Sequence, residues 1–399
     1  MVRATLLASV AMVLALTGAS ATPAGGRAMQ GVLEARAILP ANVSAPGPPS
    51  GGALGSGPIN GVKLPFSRQP VQGFSGVLKD GANRWLALPD NGYGRKENSS
   101  DWLQRIYRIA TQFKRAGGGS GKARVLGYVD LKDPDHHFPF KMVRRDRRFT
   151  GADIDPESIL RGARGTYWVG DEFGPWMLHF GRNGRLLAGP VSLPGVKSPQ
   201  NPTLKPGEQP TLGRSKGFEA AAPAADGKHA YVFLEGPLLA DRDQHRRYVY
   251  YLDLRHRRFT GRRWAYRAEN PDWLVADAKL LGGRRLLVME RDDFEGAQAN
   301  FKRVYHVNLA QQQGGFISKK LVVDLLDLRD PGGVSLPSEP GDRGLGNPFS
   351  FCLRSVESIL PLGRGRILVV NDNNYPFDAG RHPGRADGTE WIIVRPGSG

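Results

Sequence analysis

Acidic side chains recur at matching places in five stretches of the 399-residue chain. In each stretch an early polar residue leads through a glycine-bearing turn to an apolar run that ends in an acid or an amide. The early and late residues keep a nearly constant separation: Ser75 and Asp90, Glu157 and Asp171, Glu219 and Glu235, Asp277 and Glu290, and Glu357 and Asp372. Two short strands joined by such a turn form a β-hairpin, so the sequence predicts five related hairpins.

Repeated hairpins of this kind are typical of a β-propeller, in which the inner strands line a central channel. Carboxylates at equivalent positions then converge on one axis, where they repel one another unless something cationic lies among them. That partner is either a basic side chain, such as Lys279 or Arg291, or a hard cation. Ca²⁺ takes six to eight oxygen ligands from carboxylates, amides and water. The candidate metal ligands are Asp90, Asp171, Glu172, Glu235, Glu290, Asn371 and Asp372.

A purely structural role for these acids stays open, because acids at strand ends often accept hydrogen bonds from backbone N–H groups and brace neighbouring blades. Other catalytic patterns are missing from the sequence: there is no G-x-S-x-G, H-E-x-x-H, P-loop or C-x-x-C. His136 and His137 lie beside Asp133 and Asp135, which makes that loop a weaker metal candidate.

We expect an all-β fold, a propeller of five to six blades around the channel. The 52 glycines and 30 prolines, together with short apolar runs, favour a turn-rich β protein. Residues 31–72 or 120–150 offer a sixth blade, and the strand-like run Val32–Ile38 offers a ring-closing strand. The alternative is a pair of β-sandwiches, which would not explain why the acids recur in register.

The chain divides into three parts. Residues 1–21 have the charged start, apolar stretch and small-residue end of a secretory signal. Residues 22–70 form an N-terminal segment with the ring-closing strand and a flexible loop, and residues 71–399 form the propeller. We therefore expect a secreted or periplasmic protein with no membrane span in the mature chain. Cys352 is the only cysteine, so no intramolecular disulfide forms.

The formal net charge of +17 favours an anionic small molecule or polymer as partner. The arginine clusters flank strand-like segments without the aromatic pattern of RNA-binding modules, so we expect no nucleic-acid binding. We expect a monomer.

Several motifs together resemble one known family. Asn371-Asp372-Asn373-Asn374-Tyr375-Pro376-Phe377, preceded by Val356-Glu357-Ser358-Ile359, is its most specific segment. Gly217-Phe218-Glu219-Ala220 and Gly170-Asp171-Glu172-Phe173-Gly174-Pro175 occur in the same order. From about residue 70 to its C-terminus, the chain resembles the phytase-like domain family, also described as “esterase-like activity of phytase”.

The resemblance implies a propeller that hydrolyses ester or phosphoester bonds. Calcium-dependent propeller phytases offer a template for the chemistry, in which a metal-activated water is the nucleophile. By that analogy the acids would hold Ca²⁺, and the candidates for catalysis are Glu157, Asp171, Glu219, Glu357 and Asp372. The candidates for binding substrate phosphate are Lys279, Arg291 and Arg381. A non-catalytic propeller that binds a partner in the cell envelope remains the alternative, because no nucleophile–base pair is recognisable.

Overall fold

The structure, a computed structural model, describes residues 30–397. The predicted signal segment, residues 1–21, lies outside the described residues. Across residues 30–397 the regular structure is almost entirely β, with three short 3₁₀ turns at Gly52–Leu54, Ala163–Gly165 and Gly296–Gln298. No helix in this part of the chain is long and apolar enough to cross a membrane.

Most of the strands fall into five groups of four, each an antiparallel sheet. Unit I comprises β4 (Phe74–Gly81), β5 (Arg84–Pro89), β6 (Arg105–Gln112) and β7 (Lys122–Asp130); unit II comprises β8 (Pro156–Arg161), β9 (Tyr167–Asp171), β10 (Trp176–Phe180) and β11 (Leu186–Ser192); unit III comprises β12 (Ala220–Pro223), β13 (His229–Phe233), β14 (Arg246–Asp253) and β15 (Arg258–Arg267); unit IV comprises β16 (Leu274–Gly282), β17 (Arg285–Arg291), β18 (Lys302–Gln313) and β19 (Phe316–Asp324); unit V comprises β21 (Ser355–Leu362), β22 (Arg366–Asp372), β23 (Thr389–Arg395) and β1 (Gly31–Leu39). The short strands β2 (Ser44–Ala45), β3 (Gln69–Pro70) and β20 (Leu328–Arg329) lie outside these groups.

The first strands of the five units form a closed ring. β4 contacts β8, β8 contacts β12, β12 contacts β16, β16 contacts β21, and β21 returns to β4. An all-β propeller was expected, and this arrangement confirms it, whereas a pair of sandwiches would not place the first strand of every sheet around one axis.

The outer strand of unit V comes from the other end of the chain. β1 runs antiparallel to β23, with Val32 opposite Arg395 and Leu39 opposite Thr389. Its residues alternate between buried and half-buried positions, as expected for a strand with one face on the core. The N-terminal strand thus completes the sheet that also contains the C-terminal strand. A single pairing, Ile38 with Lys122, links it to β7 of unit I.

The hydrophobic core is divided into five clusters, each between two neighbouring units. For example, Leu160 and Trp168 of unit II pack with Ala221, Val232 and other side chains of unit III. The first two strands of each unit are buried nearly throughout, because both of their faces pack against neighbouring sheets. The inner strands are therefore held rigidly, which positions the side chains that face the axis.

Candidate active site in the central channel

In several units, an irregularity in the pairing of the first two strands turns one side chain of the first strand toward the channel. In units I, II and V the pairing of the first two strands shifts by one residue, which leaves Ser75, Glu157 and Glu357 in β-bulges. A bulge re-aims a side chain that would otherwise follow the alternation of the strand. In unit III the corresponding residue, Glu219, comes immediately before β12. The bulged residue of unit IV is Ala276. The expected register is therefore off by one here, because Asp277 lies one position beyond it.

The second strands supply a second set of channel residues. The residues that pair just beyond each bulge position are Leu88, Gly170, Phe233, Met289 and Val370. Two residues after each of these, within the second strand or just beyond its end, the chain has Asp90, Glu172, Glu235, Arg291 and Asp372. All five line one cavity. Four units thus supply an acid and unit IV supplies an arginine.

The cavity has a volume of about 240 Å³ and is lined mainly by charged side chains. Its carboxylates are Asp90, Asp155, Glu157, Glu172, Glu219, Glu235, Asp293, Glu357 and Asp372, and its basic groups are Lys216, Arg291 and Arg354. The acids outnumber the bases by nine to three, although the whole chain carries a formal charge of +17. The channel is therefore a negative site within a positive protein.

The basic groups pair with only some of the acids. Arg291 Nη2 lies 2.7 Å from Glu357 Oε1 and 3.7 Å from Glu235 Oε1. Lys216 Nζ donates to Glu235 Oε2 at 2.6 Å. Arg354 donates away from the axis, to Asp378 at 2.9 Å. Arg291 Nη1 also lies 3.3 Å from Asp293 Oδ1. Glu357, Glu235 and Asp293 are thereby balanced by charge, and the other six channel acids are not.

Six of the nine channel carboxylates form no salt bridge with any described residue: those of Asp90, Asp155, Glu157, Glu172, Glu219 and Asp372. Four of the six accept hydrogen bonds from backbone N–H groups, which leaves Glu157 and Glu219. Both are buried, with exposed fractions of 8% and 3%. Glu357 is buried to the same degree, and its Oε2 atom has no hydrogen-bond partner among residues 30–397. Buried charges without partners are costly, so these oxygens need a proton or a cation.

Burial and mutual repulsion raise the pKa values of the channel acids. Burial raises the pKa of Glu157 well above its usual range, and the charges of Glu219 and Asp155 add to this. The pKa of Asp372 is raised for the same reasons, with Glu357 and Asp90 as its charged neighbours. The pKa values of Asp90, Glu172 and Glu219 are also raised, with burial as the largest cause. Burial lowers the pKa of Lys216, but the carboxylates of Glu235 and Glu172 outweigh it and raise the pKa overall.

The donor set suits a hard divalent cation. Three groups each bring one oxygen per residue within 4.8 Å of one another: Asp90, Asp155 and Glu157; Glu157, Glu219 and Glu357; and Glu172, Glu219 and Glu235. All ligand atoms are carboxylate oxygens, which Ca²⁺ and Mg²⁺ prefer over nitrogen or sulfur. Glu357, whose Oε2 atom has no hydrogen-bond partner among residues 30–397, belongs to the central group. The residues present therefore fit a calcium-type site.

Comparison with known sequences identifies the family. The sequence model of the Phytase-like family, described as “Esterase-like activity of phytase”, matches residues 69–375, well over half of the chain. The chain belongs to this family.

One curated relative of this phytase-like protein is an uncharacterized secreted protein of Arthroderma benhamiae. The two sequences are 33% identical over 114 residues, which cover 24% of this chain and 22% of the fungal protein. The matched segment thus spans only about a fifth of the relative's length.

Similar solved structures include a β-1,3-galactosidase of family GH43, with 10% identity, a TM-score of 0.43, and coverage of 89% of this chain and 61% of that one. A luciferin-regenerating enzyme has 10% identity and a TM-score of 0.37, covering 84% and 81% of the two chains. At these scores the likeness says nothing about the activity of the phytase-like protein.

The channel brings together many, but not all, of the residues singled out in the sequence. Those that line it are Asp90, Glu157, Glu172, Glu219, Glu235, Arg291, Glu357 and Asp372. Those that do not line it are Asp171, Lys279, Glu290, Asn371 and Arg381, together with Asp277, the early polar residue of the fourth repeat.

The acids outside the channel brace the fold. Asp171 accepts hydrogen bonds from the N–H groups of Asp155 (2.8 Å) and Gly174 (2.9 Å), and burial raises its pKa to about 8. Glu290 accepts hydrogen bonds from Tyr266 and, at 2.6 Å, from the N–H of Glu269. These contacts correspond to the structural role that the sequence left open.

The remaining predicted residues outside the cavity form ion pairs or hydrogen bonds with other parts of the protein. Lys279 pairs with Asp277, whose other oxygen accepts the N–H of Ile359 in unit V at 2.9 Å. Arg381 Nε donates to Glu390 Oε1 at 2.9 Å. Asn371 Oδ1 accepts the N–H of Glu390 at 2.7 Å.

In the loop predicted as a weaker metal candidate, the carboxylate of Asp133 is engaged by groups of the protein itself. Asp133 accepts hydrogen bonds from the N–H groups of His137 (2.8 Å) and Phe138 (2.9 Å) and pairs with Arg147. It belongs to none of the metal-type clusters found among the described residues.

Four charged channel residues were missed in the sequence: Asp155, Lys216, Asp293 and Arg354. Asp155 lies two residues before Glu157, and its carboxylate accepts hydrogen bonds from the backbone N–H (3.0 Å) and side-chain amide (2.7 Å) of Asn91. The run Asp153-Ile154-Asp155-Pro156-Glu157 was a usable signal. Acids stand at every second position in it, and the last of them, Glu157, is the early polar residue of the second repeat. Lys216 lies in a loop outside the repeat and gave no comparable signal.

Proposed function

We propose that the channel is the active site of a secreted or periplasmic hydrolase that cleaves ester or phosphoester bonds with the help of a bound divalent cation such as Ca²⁺. The observation that carries this proposal is the meeting of Glu157, Glu219 and Glu357 within 4.8 Å, beside the guanidinium of Arg291. Two of these three carboxylates form no salt bridge with a described residue, and the third pairs with Arg291. Such a cluster next to a fixed positive charge suits a site that takes up a metal ion together with an anionic group.

In this proposal Glu157, Glu219 and Glu357 hold the cation, with Asp90, Asp155, Glu172 and Glu235 at its flanks. When bound, such an ion polarises a carbonyl or phosphoryl oxygen and lowers the pKa of a bound water. Arg291 and Lys216 provide positive charge for the anionic part of the substrate. Their own carboxylate partners hold both side chains in place.

Asp372 is the proposed proton donor to the leaving group. Its Oδ1 atom accepts the N–H of Asn374 at 2.7 Å, which leaves Oδ2 free to carry a proton. Burial and the charges of Glu357 and Asp90 raise the pKa of Asp372, so that the proton is retained closer to neutral pH. Such a group would protonate the departing oxygen, and a cation held by Glu157, Glu219 and Glu357 would supply positive charge.

The proposed location follows from the N-terminal leader pattern in the sequence and from the fungal relative described as secreted. Protein expressed with residues 1–21 in a bacterial host should appear outside the cytoplasm, with its new N-terminus near Thr22. Retention of the leader on a cytoplasmic product would contradict this.

The activity is tested on p-nitrophenyl phosphate, p-nitrophenyl acetate and phytate, with calcium and with a chelator. We expect turnover of at least one substrate, loss of turnover on chelation, and at least a hundredfold loss in Glu219→Gln. Glu339→Gln is the control, because that side chain is 65% exposed and pairs only with exposed Arg385. Absence of turnover on all three substrates by folded, calcium-supplied protein would refute the hydrolase.

A second function, non-catalytic binding of a ligand or partner, is favoured by one observation. No histidine or cysteine is among the residues that line the cavity, so these residues contain no Ser–His or Cys–His pair. Ligand or partner binding that persists in a Glu219→Gln variant, without turnover by the wild type, would select this function.

A further inference from the structure

A second cavity opens beside the channel and differs from it in chemistry. It has a volume of about 390 Å³, and its walls include four apolar side chains: Pro237, Leu239, Pro271 and Leu274. Leu239 is 57% exposed, the largest exposed fraction among the large hydrophobic residues of the described chain. A single exposed leucine needs no explanation, but one in the wall of a cavity beside a charged site does.

The two cavities adjoin each other and share part of their walls. Lys216, Leu274 and Asp293 line both of them. The Lys216 side chain lies between the two cavities and packs closely against Gly236. A Cβ atom added to Gly236 would lie only 2.3 Å from Lys216 Cδ. A molecule bound with its charged end near Lys216 can therefore extend into the second cavity.

The walls of the second cavity are held in place by Arg247, which is fully buried. Its Nη1 atom donates to the carbonyl of Gln244 at 2.7 Å, and its Nη2 atom donates to the carbonyls of Pro271 (2.7 Å) and Trp273 (2.6 Å). One side chain thus ties together the two loops that face each other across the cavity. A pre-formed apolar wall costs little ordering on binding, so it favours a ligand that fits it.

We propose that this second cavity is the subsite for an apolar group of the substrate, and that the substrate class is an ester or phosphoester carrying an alkyl or acyl chain. The chain lies against Leu239 and Leu274, and the ester or phosphate group lies in the channel near Lys216 and Arg291. The proposal rests on the proposed function of the channel, but binding tests it without turnover.

The first experiment compares the binding of octyl phosphate, below its micelle concentration, with that of ethyl phosphate, by calorimetry in the presence of calcium. A half-buried methylene group is worth about a twofold gain in affinity, so six additional methylenes lying against one wall predict binding tighter by about 60-fold. Leu239→Ser should lower this preference at least about threefold. Leu187→Ser, at a leucine that is 42% exposed on β11, should leave it unchanged.

The second experiment compares hydrolysis of p-nitrophenyl octanoate and p-nitrophenyl acetate. Wild type should favour the octanoate through a lower KM, and Leu239→Ser should lose that advantage with the acetate rate retained. Equal affinity for octyl and ethyl phosphate would overturn the subsite even if acetate is hydrolysed. A preference for octyl phosphate without any hydrolysis would overturn the hydrolase and keep the subsite.

Discussion

Calcium should stabilise this protein measurably, because the channel acids repel one another without it. The perturbation is the addition of calcium to chelator-treated protein at pH 8, and the readout is the midpoint of thermal unfolding. Glu157 and Glu219 have no salt bridge among the described residues, and Glu357 has one unpartnered oxygen. A bound cation supplies the missing partner in the folded state alone.

The magnitude follows from linkage. At a calcium concentration 100 times the dissociation constant, binding adds about 2.7 kcal/mol to the free energy of unfolding. An unfolding entropy of about 2.1 cal/mol/K per residue, over about 370 described residues, converts this to a rise in Tm of about 3 °C. Glu219→Gln removes one ligand; if affinity falls about tenfold, about 1.4 kcal/mol and about 2 °C of that rise are lost.

The channel acids should make the free energy of unfolding of the calcium-free protein fall as the pH rises above the usual carboxyl pKa, whereas paired carboxylates in most proteins have the opposite effect. The pKa values of Asp90, Glu157, Glu172, Glu219 and Asp372 are raised in the folded state, so the folded state binds more protons than the unfolded state above the usual carboxyl pKa. Stability from these groups is present at low pH and is lost as pH rises through their folded pKa values. Calcium, which replaces the protons, should reduce this loss.

Removing one of the repelling acids should therefore stabilise the calcium-free protein. We expect Glu219→Gln to unfold at a higher temperature than wild type in chelator and to gain less from calcium, while Glu339→Gln behaves as wild type in both. A calcium-independent Tm in wild type, or a Tm in chelator that rises from pH 5 to pH 8, would refute the reasoning about the channel charges.

Three further predictions concern the parts that hold the channel. Arg291→Met should lower the free energy of unfolding by about 3 kcal/mol in chelator, because it leaves the buried Glu357 without its partner; a loss below about 0.5 kcal/mol in urea unfolding would contradict this. Leu33→Ala, on the strand that completes unit V, should cost about 2–5 kcal/mol, against less than about 0.5 kcal/mol for exposed Leu126→Ala, by the same measurement. Glu290→Gln should cost about 1–3 kcal/mol by weakening its contacts with Tyr266 and the backbone, yet leave the calcium-induced rise in Tm intact, because it lies outside the channel; loss of that rise would contradict its assignment as a brace.

The propeller was predictable because its signal is repeated. Five hairpins with a nearly constant reach defined the inner strands, and the early acids Glu157, Glu219 and Glu357 proved to share the channel. The β character followed from short apolar runs separated by glycine-bearing turns. Repetition averages out the ambiguity of any single strand.

The exact register was not predictable, because a bulge does not appear in a hydrophobic pattern. A shift of one residue moves a side chain to the other face of a strand. The sequence therefore favoured Asp277 and Glu290 and did not separate Asp171 from Glu172, whereas the pairing puts Ala276 in the bulge of unit IV, and Glu172 and Arg291 line the channel. The substitution of an arginine for an acid in unit IV became visible only once the strands were paired.

Loops supplied the remaining channel residues. Lys216 lies before unit III and reaches the channel through its ion pair with Glu235. Its contribution depends on how the loop folds back over Gly236, which no local periodicity encodes.

The most direct test of the central claim is a crystal structure of the protein grown with calcium. We expect an ion among Glu157, Glu219 and Glu357, with oxygen ligands at about 2.3–2.6 Å, and no such ion in crystals of Glu219→Gln grown under the same conditions. A well-ordered channel without an ion at saturating calcium, in a protein that is folded and soluble, would contradict it.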